Sequence, residues 1–192
     1  SGQLWGNPLY RWDVLKEKRY EWWIWRMKHN LELFDMVRID HFRGLVAYWE
    51  VPADKKTAID GKWVEVPAED FFTVLLENFS KSSIIAEDLG LITSDVRAVM
   101  NQFEFPGMKV LLFAFNDDLA TNPYLPHNHV ENCVVYTGTH DNNTVKGWFD
   151  GEASEKVKDN LSRYLGRELS SANVHWEFIR LAMMSVAKMV II

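Results

Sequence analysis

Three stretches of this sequence run from branched apolar residues straight into carboxylates: "MVRID", "SIIAED" and "VVYTGTHD". They set Asp40, Glu87 and Asp141 at the far ends of short apolar runs, with room between them for a crossover helix and an elaborated loop each time. The C-terminal edge of a parallel sheet is where ligand sites form, because strand ends hold side chains rigidly while loops shape the pocket. Two carboxylates facing each other across a small gap can divide labour: one stays ionised and attacks carbon, the other carries a proton and gives it to a leaving oxygen. A third can stabilise positive charge in the transition state or clamp hydroxyl groups. Arg38 lies two positions before Asp40 and so points to the same side of a strand, which places its charge beside the carboxylate. His41 and His140 adjoin acids and can donate to ligand hydroxyls.

Other uses of these residues compete with that chemistry. An acid after a strand also caps the next helix or pairs with a nearby arginine, and Arg38 and Arg43 flank Asp40. Asp, Glu and His are metal ligands, but no closely spaced His pair and no HExxH occurs, so no metal is expected. His127 and His129 in "LPHNHVEN" read as solvent-exposed loop residues. "TGTHDN" has a single glycine, Gly138, and no lysine, which makes a poor phosphate loop.

The elements that must position the acids follow from periodicity. Tyr20, Trp23, Ile24, Met27, Leu31 and Phe34 recur at threes and fours, which predicts one long helix from about Glu17 to Phe34. "DMVRID" is then a short strand and Phe42 to Asp70 a long irregular loop punctuated by Pro52, Gly61 and Pro67. "AEDFFTVLLENF" predicts a helix, "SIIAEDLG" a strand, and "TSDVRAVMNQF" a helix with Thr93 at its N-cap. "GMKVLLFAF" reads as a continuous buried strand and residues 116–132 as a polar loop. "CVVYTGTHDN" is a further strand, "SEKVKDNLSRYLG" a helix stopped by Gly166, "ANVHWEFIRLAMMSVA" another helix, and "KMVII" a last strand. Five strands alternating with helices predict an α/β protein with a parallel sheet. The chain stops on Ile192 inside an apolar strand, so a piece of a longer protein is expected.

Bulk properties narrow the partners. The net charge of -6 disfavours nucleic acid, whose phosphates need concentrated Lys and Arg. Nine of the 192 residues are Trp, a side chain that suits both cores and platforms for flat, hydroxyl-rich ligands. Cys133 is the one cysteine, so no intrachain disulfide can form, and a reducing, cytoplasmic location is expected. Neither end carries a signal-peptide pattern and no apolar run reaches membrane-spanning length, so no membrane partner is expected.

The stretches "GQLWGNPLY", "RIDHFRG" followed by "YW", "IIAEDLG", "FPGMKVL", "YLPHN" and "VVYTGTHDNNTVKGWF" together give the chain a close resemblance, over nearly its whole length, to the 4-alpha-glucanotransferases known as amylomaltase or disproportionating enzyme. These belong to the wider alpha-amylase-like group of retaining glycosidases. The resemblance implies a (β/α)8 TIM barrel, of which residues 1–192 would be a partial catalytic domain, about strands four to eight. The loops 42–70 and 116–132 would lie over the active-site face, and the missing parts of the chain would supply the rest of the barrel. It implies Asp40 as nucleophile, Glu87 as general acid/base and Asp141 as the third, stabilising acid. Arg38, His41, His140, Asn142, Trp49 and Trp63 are the expected substrate-binding residues, with Trp148 a further stacking candidate. The expected substrates are alpha-1,4-glucans and maltooligosaccharides, with no cofactor. Family members often carry Pro-Gly where this chain has Pro67-Ala68, a change at the end of the long loop. A glucan hydrolase of the same group, or an inactive barrel fragment that at most binds glucan, are the alternatives.

Overall fold

The computed structural model describes residue 4, residues 6–116 and residues 118–192; Ser1, Gly2, Gln3, Trp5 and Asp117 lie outside the described residues, and with them part of the stretch "GQLWGNPLY". The chain forms two compact units, Ser1–Pro106 and Gly107–Ile192. Both are α/β: the first holds one parallel strand pair and one antiparallel hairpin, the second a parallel three-stranded sheet.

The first unit runs α1 (Trp12–Glu17), α2 (Glu21–Leu33), β1 (Val37–Ile39), β2 (Ala47–Glu50), β3 (Lys62–Glu65), α3 (Ala68–Leu76), β4 (Ile84–Ala86) and α4 (Ser94–Phe103). The single helix expected from Glu17 to Phe34 is therefore interrupted. Arg19 and Tyr20 take left-handed backbone angles, φ 48° and 55°, and end one helix before the next begins. Periodicity cannot see this break because Tyr20 still reaches the core, where it is fully buried and its hydroxyl donates to the Asp70 carboxylate at 2.5 Å. Burial against that anion pushes the Tyr20 phenol pKa up.

Nor is the stretch 42–70 irregular. A 3-10 turn (Phe42–Leu45) leads into β2, which pairs antiparallel with β3 in the register Tyr48↔Val64 and Trp49↔Trp63. The core beneath is aromatic: Phe42, Phe71 and Phe72 are fully buried, Phe42 stacks on Phe72 with centroids 5.2 Å apart, and Phe71 meets Phe72 at 4.8 Å. Each such ring contributes on the order of 2 kcal/mol by leaving water. Ala68, the departure from Pro-Gly, is buried at the first turn of α3.

The second unit runs β5 (Gly107–Val110), β6 (Cys133–Tyr136), α5 (Val145–Gly151), α6 (Glu155–Leu165), α7 (Val174–Met183) and β7 (Met189–Ile191), with sheet order β5-β6-β7, all parallel. "GMKVLLFAF" is a strand only to Val110. Leu111–Phe113 then turn as a 3-10 helix, yet Leu111, Leu112 and Phe115 are all buried, so an unbroken apolar run carried no sign of the bend. The α6 ends match the sequence: the Ser154 hydroxyl accepts the Val157 N–H at 3.3 Å, and Gly166 stops the helix at φ 67°. Within the 116–132 loop, Pro126–Asn128 form a 3-10 turn. The loop's two histidines differ. His129 is buried rather than exposed, between the Ser185 hydroxyl at 2.7 Å and the Tyr124 carbonyl at 2.9 Å. Among the described residues no helix is long and apolar enough to cross a membrane.

Candidate active site

Strands β1 and β4 are hydrogen-bonded in parallel, with Val37 opposite Ile84, Arg38 opposite Ile85 and Ile39 opposite Ala86. Asp40 and Glu87 are the next residues of the two strands. The backbone stays joined there: the Glu87 N–H donates to the Ile39 carbonyl at 3.0 Å, and the Phe42 N–H to the Glu87 carbonyl at 3.2 Å. Two acids thus leave adjacent strands at the same level, at the C-terminal edge, on backbone fixed by a shared ladder.

Their surroundings differ. The Arg38 guanidinium meets the Asp40 carboxylate at 2.9 Å, and the Asp40 side chain is 73% exposed. Glu87 is half-buried and accepts one backbone N–H at each oxygen, from His41 at 2.7 Å and from Leu89 at 2.7 Å. The His41 donor depends on an unusual backbone, left-handed at φ 46° and ψ 53°. That conformation costs a non-glycine residue roughly 1–2 kcal/mol, and such local strain persists where the surrounding structure fixes it, often at functional sites. The His41 ring lies over Gly44, where a Cβ would come within 3.1 Å of it.

Trp49 and Trp63 are paired across the hairpin, their rings 5.4 Å apart in an edge-to-face arrangement. The Trp49 indole N–H donates to the Ala58 carbonyl at 2.8 Å, and a Cβ on Gly61 would fall 2.3 Å from that nitrogen, so the turn requires glycine. Trp63 is 53% exposed.

In the second unit, His140 and Asp141 follow β6 in a tight turn. The His140 ring lies 3.4 Å from the Asp141 carboxylate, and both side chains are exposed. Asn142 spends its carboxamide oxygen on the turn itself, accepting the Thr139 N–H at 3.0 Å and the Thr139 hydroxyl at 2.9 Å. Trp148 lies not in a loop but in α5, buried, with its ring 5.5 Å from Phe178. It belongs to the core, which removes it from the stacking candidates. Sequence reasoning did not find the two amide donors to Glu87, since any residue but proline supplies an N–H; Gly90 at φ 82° is the one sequence trace of the turn that aims the second.

Among the described residues no group of three His, Cys, Asp or Glu side chains is arranged to hold a metal ion. An open groove of about 770 Å³ along α3, lined by residues including Arg19, Asp70, Thr73, Glu77 and Asp95, contains none of the candidate residues.

Parallel α/β units with carboxylates on adjacent strand ends place the chain in the class of α/β proteins that build their sites at the sheet's C-terminal edge. A family model described as 4-alpha-glucanotransferase matches residues 1–192, and the chain belongs to that family. It is 48% identical to a 4-alpha-glucanotransferase of Aquifex aeolicus over 192 residues, covering all of this chain and 39% of that protein. It is 46% identical to the chloroplastic/amyloplastic 4-alpha-glucanotransferase of Solanum tuberosum, again over all of this chain and 33% of the relative. Among solved structures it matches the amylomaltase from Streptococcus agalactiae in complex with acarbose, with a TM-score of 0.87 and 37% identity over 98% of this chain and 38% of that one. The chain therefore spans well under half the length of the relatives it matches.

Proposed function

We propose that this chain carries the catalytic carboxylates of a 4-alpha-glucanotransferase that moves alpha-1,4-glucan segments between maltooligosaccharides or starch- and glycogen-like glucans. The observation that carries the reading is the matched emergence of Asp40 and Glu87 from two hydrogen-bonded parallel strands, in a chain of this family. In this reading residues 1–192 are a stretch of a (β/α)8 barrel, about strands four to eight, completed by further chain of the full-length protein. The segments 42–70 and 116–132 would then cover the active-site face.

The chemistry is retaining double displacement. Glu87, protonated, gives its proton to the bridging oxygen as the glycosidic bond breaks, while the Asp40 carboxylate forms an ester to the anomeric carbon. The released glucan leaves. The 4-hydroxyl of a second glucan then loses its proton to Glu87 and displaces Asp40, which regenerates both carboxyl groups. Arg38 holds Asp40 in line, and Asp141 is the third acid by the family resemblance. His41, His140, Asn142, Trp49 and Trp63 are proposed sugar contacts; with the Asn142 oxygen occupied by its own turn, its amide N–H groups are the part left to a ligand. An oriented acceptor must outcompete water, which favours stacked sugar rings and a partly dry site. The acarbose in the Streptococcus agalactiae structure supports a ligand of this class. We place the protein in the cytoplasm on its lone, buried Cys133, while the Solanum tuberosum relative is named for plastids.

The test is the product profile of the full-length protein on maltotriose. A ladder of longer maltooligosaccharides with free glucose is expected, and Asp40→Asn is expected to abolish it. Steady glucose without longer products would make the protein a hydrolase, and normal turnover by Asp40→Asn would remove that residue as nucleophile.

A further inference from the structure

The hairpin β2–β3 turns one face to the protein and one away. Tyr48 packs on the aromatic core, while Trp49 and Trp63, one residue on in the register, stand on the opposite face. Trp49 is half-buried, but an indole as exposed as Trp63 on a two-stranded ribbon would ordinarily be loosely held. Here it is fastened from below by Arg43, whose guanidinium carbon lies 4.3 Å from the centre of the Trp63 ring. Arg43 is itself anchored, donating to the Thr93 hydroxyl at 2.7 Å across a separation of 50 residues. Thr93 stands at the N-cap position of α4 without a capping bond of its own, and its hydroxyl holds the Asp95 carboxylate, whose pKa is lowered by that hydroxyl and, to a smaller extent, by the charge of Arg43. The guanidinium therefore joins three elements. It sits on the 3-10 turn that leaves Asp40, it reaches the N-terminus of the helix that follows Glu87, and it covers part of one indole.

We propose that Arg43 is a positioning residue that locks Trp63 as a stacking platform for a glucosyl ring of the bound glucan. The inference rests on the function proposed above and adds a named subsite to it. A pyranose presents a face of C–H groups that suits an indole, and Trp63 remains more than half exposed to receive one. Locking the ring before binding removes the ordering cost that a free side chain would impose on the ligand. Trp49, held by its bond to the Ala58 carbonyl, meets the Trp63 ring in an edge-to-face contact and steadies it further. Because Arg43 leaves the same turn as Asp40, the platform is also held in register with the reacting centre.

Steady-state kinetics of the full-length protein on maltotriose and maltoheptaose test this, with Arg43→Ala, Trp63→Ala, the double variant, Arg43→Lys and Arg43→Gln. Loss of one stacked ring predicts that each alanine variant raises KM for maltoheptaose about threefold to tenfold, more than for maltotriose, with KM rising more than kcat falls. The double variant should be no worse than Trp63→Ala, because both act through one ring. Arg43→Lys should recover part of the loss, and Arg43→Gln, which can keep the bond to Thr93 without the charge, should not. Equal effects on both substrates, full additivity in the double variant, or no effect of either alanine would each overturn the platform. Should Arg43→Ala fail to fold, the Lys and Gln pair decides alone. Failure of the unaltered protein to elongate either substrate would remove the function itself, a result distinct from a working enzyme whose variants ignore chain length.

Discussion

Asp40 and Glu87 are neighbours with opposite environments, one exposed and facing a guanidinium, the other half-buried under two amide donors. This asymmetry gives the Glu87→Gln change a structural consequence besides its chemical one. Each Glu87 oxygen accepts an N–H, so a carboxamide must turn its NH2 toward either His41 or Leu89 and leave that amide unsatisfied. A loss of about 1–3 kcal/mol in stability is expected, together with a fall in turnover that is far larger on natural glucans than on substrates with activated leaving groups, which need little proton donation. Unfolding titrations and paired kinetics on the two substrate types check both parts. Equal losses on the two types would take Glu87 out of the acid role. The acids were legible in the sequence because a charge at the end of an apolar run is conspicuous. Their amide partners were not, since backbone donors leave no signature and the left-handed turn falls on His41 rather than on a glycine.

At the scale of elements, apolar runs located all five parallel strands, and Gly166 marked the end of α6. The failures have physical causes. The four-residue strands AYWE and KWVE are joined by a span too long to show a short-turn signal, so they merged into an apparent loop. His129 was hidden in the same way, since a polar loop conceals which of its residues is buried. Its Nε2–H donates to the Tyr124 carbonyl and Nδ1 meets the Ser185 hydroxyl, and burial lowers its pKa below the ordinary value of 6.5. Below about pH 6.5 the unfolded chain therefore binds a proton that the folded one refuses, and stability falls as pH drops. The lowered carboxylates Asp13, Asp95 and Asp118 act with the same sign but start to matter only near their ordinary value of 3.8 and below. Between about pH 5 and 6.5 the slope should thus reflect His129, and His129→Gln should flatten it. Unfolding midpoints across that range measure it, and an unchanged slope in the variant would rule the histidine out.

For the whole molecule, strand count and composition give the class but not closure, because what covers a face is not written in the face. In the first unit Trp25, Leu33 and Phe34 are 67%, 64% and 61% exposed; in the second, Trp176, Met183 and Met184 are 61%, 65% and 74% exposed. Among the described residues β7 pairs only with β6, which leaves it an end strand of branched residues. Open strand edges and apolar patches of this kind are templates for association. With only 38–39% of the Aquifex aeolicus and Streptococcus agalactiae proteins matched, these surfaces are the ones that further chain would cover under the barrel reading. The 192-residue polypeptide expressed alone should then self-associate at about micromolar concentrations, with the full-length protein remaining disperse under the same conditions. Sedimentation velocity across a dilution series separates the two. A monodisperse, monomeric polypeptide would mean that these faces tolerate water, and the case for a barrel completed by further chain would lose its physical support.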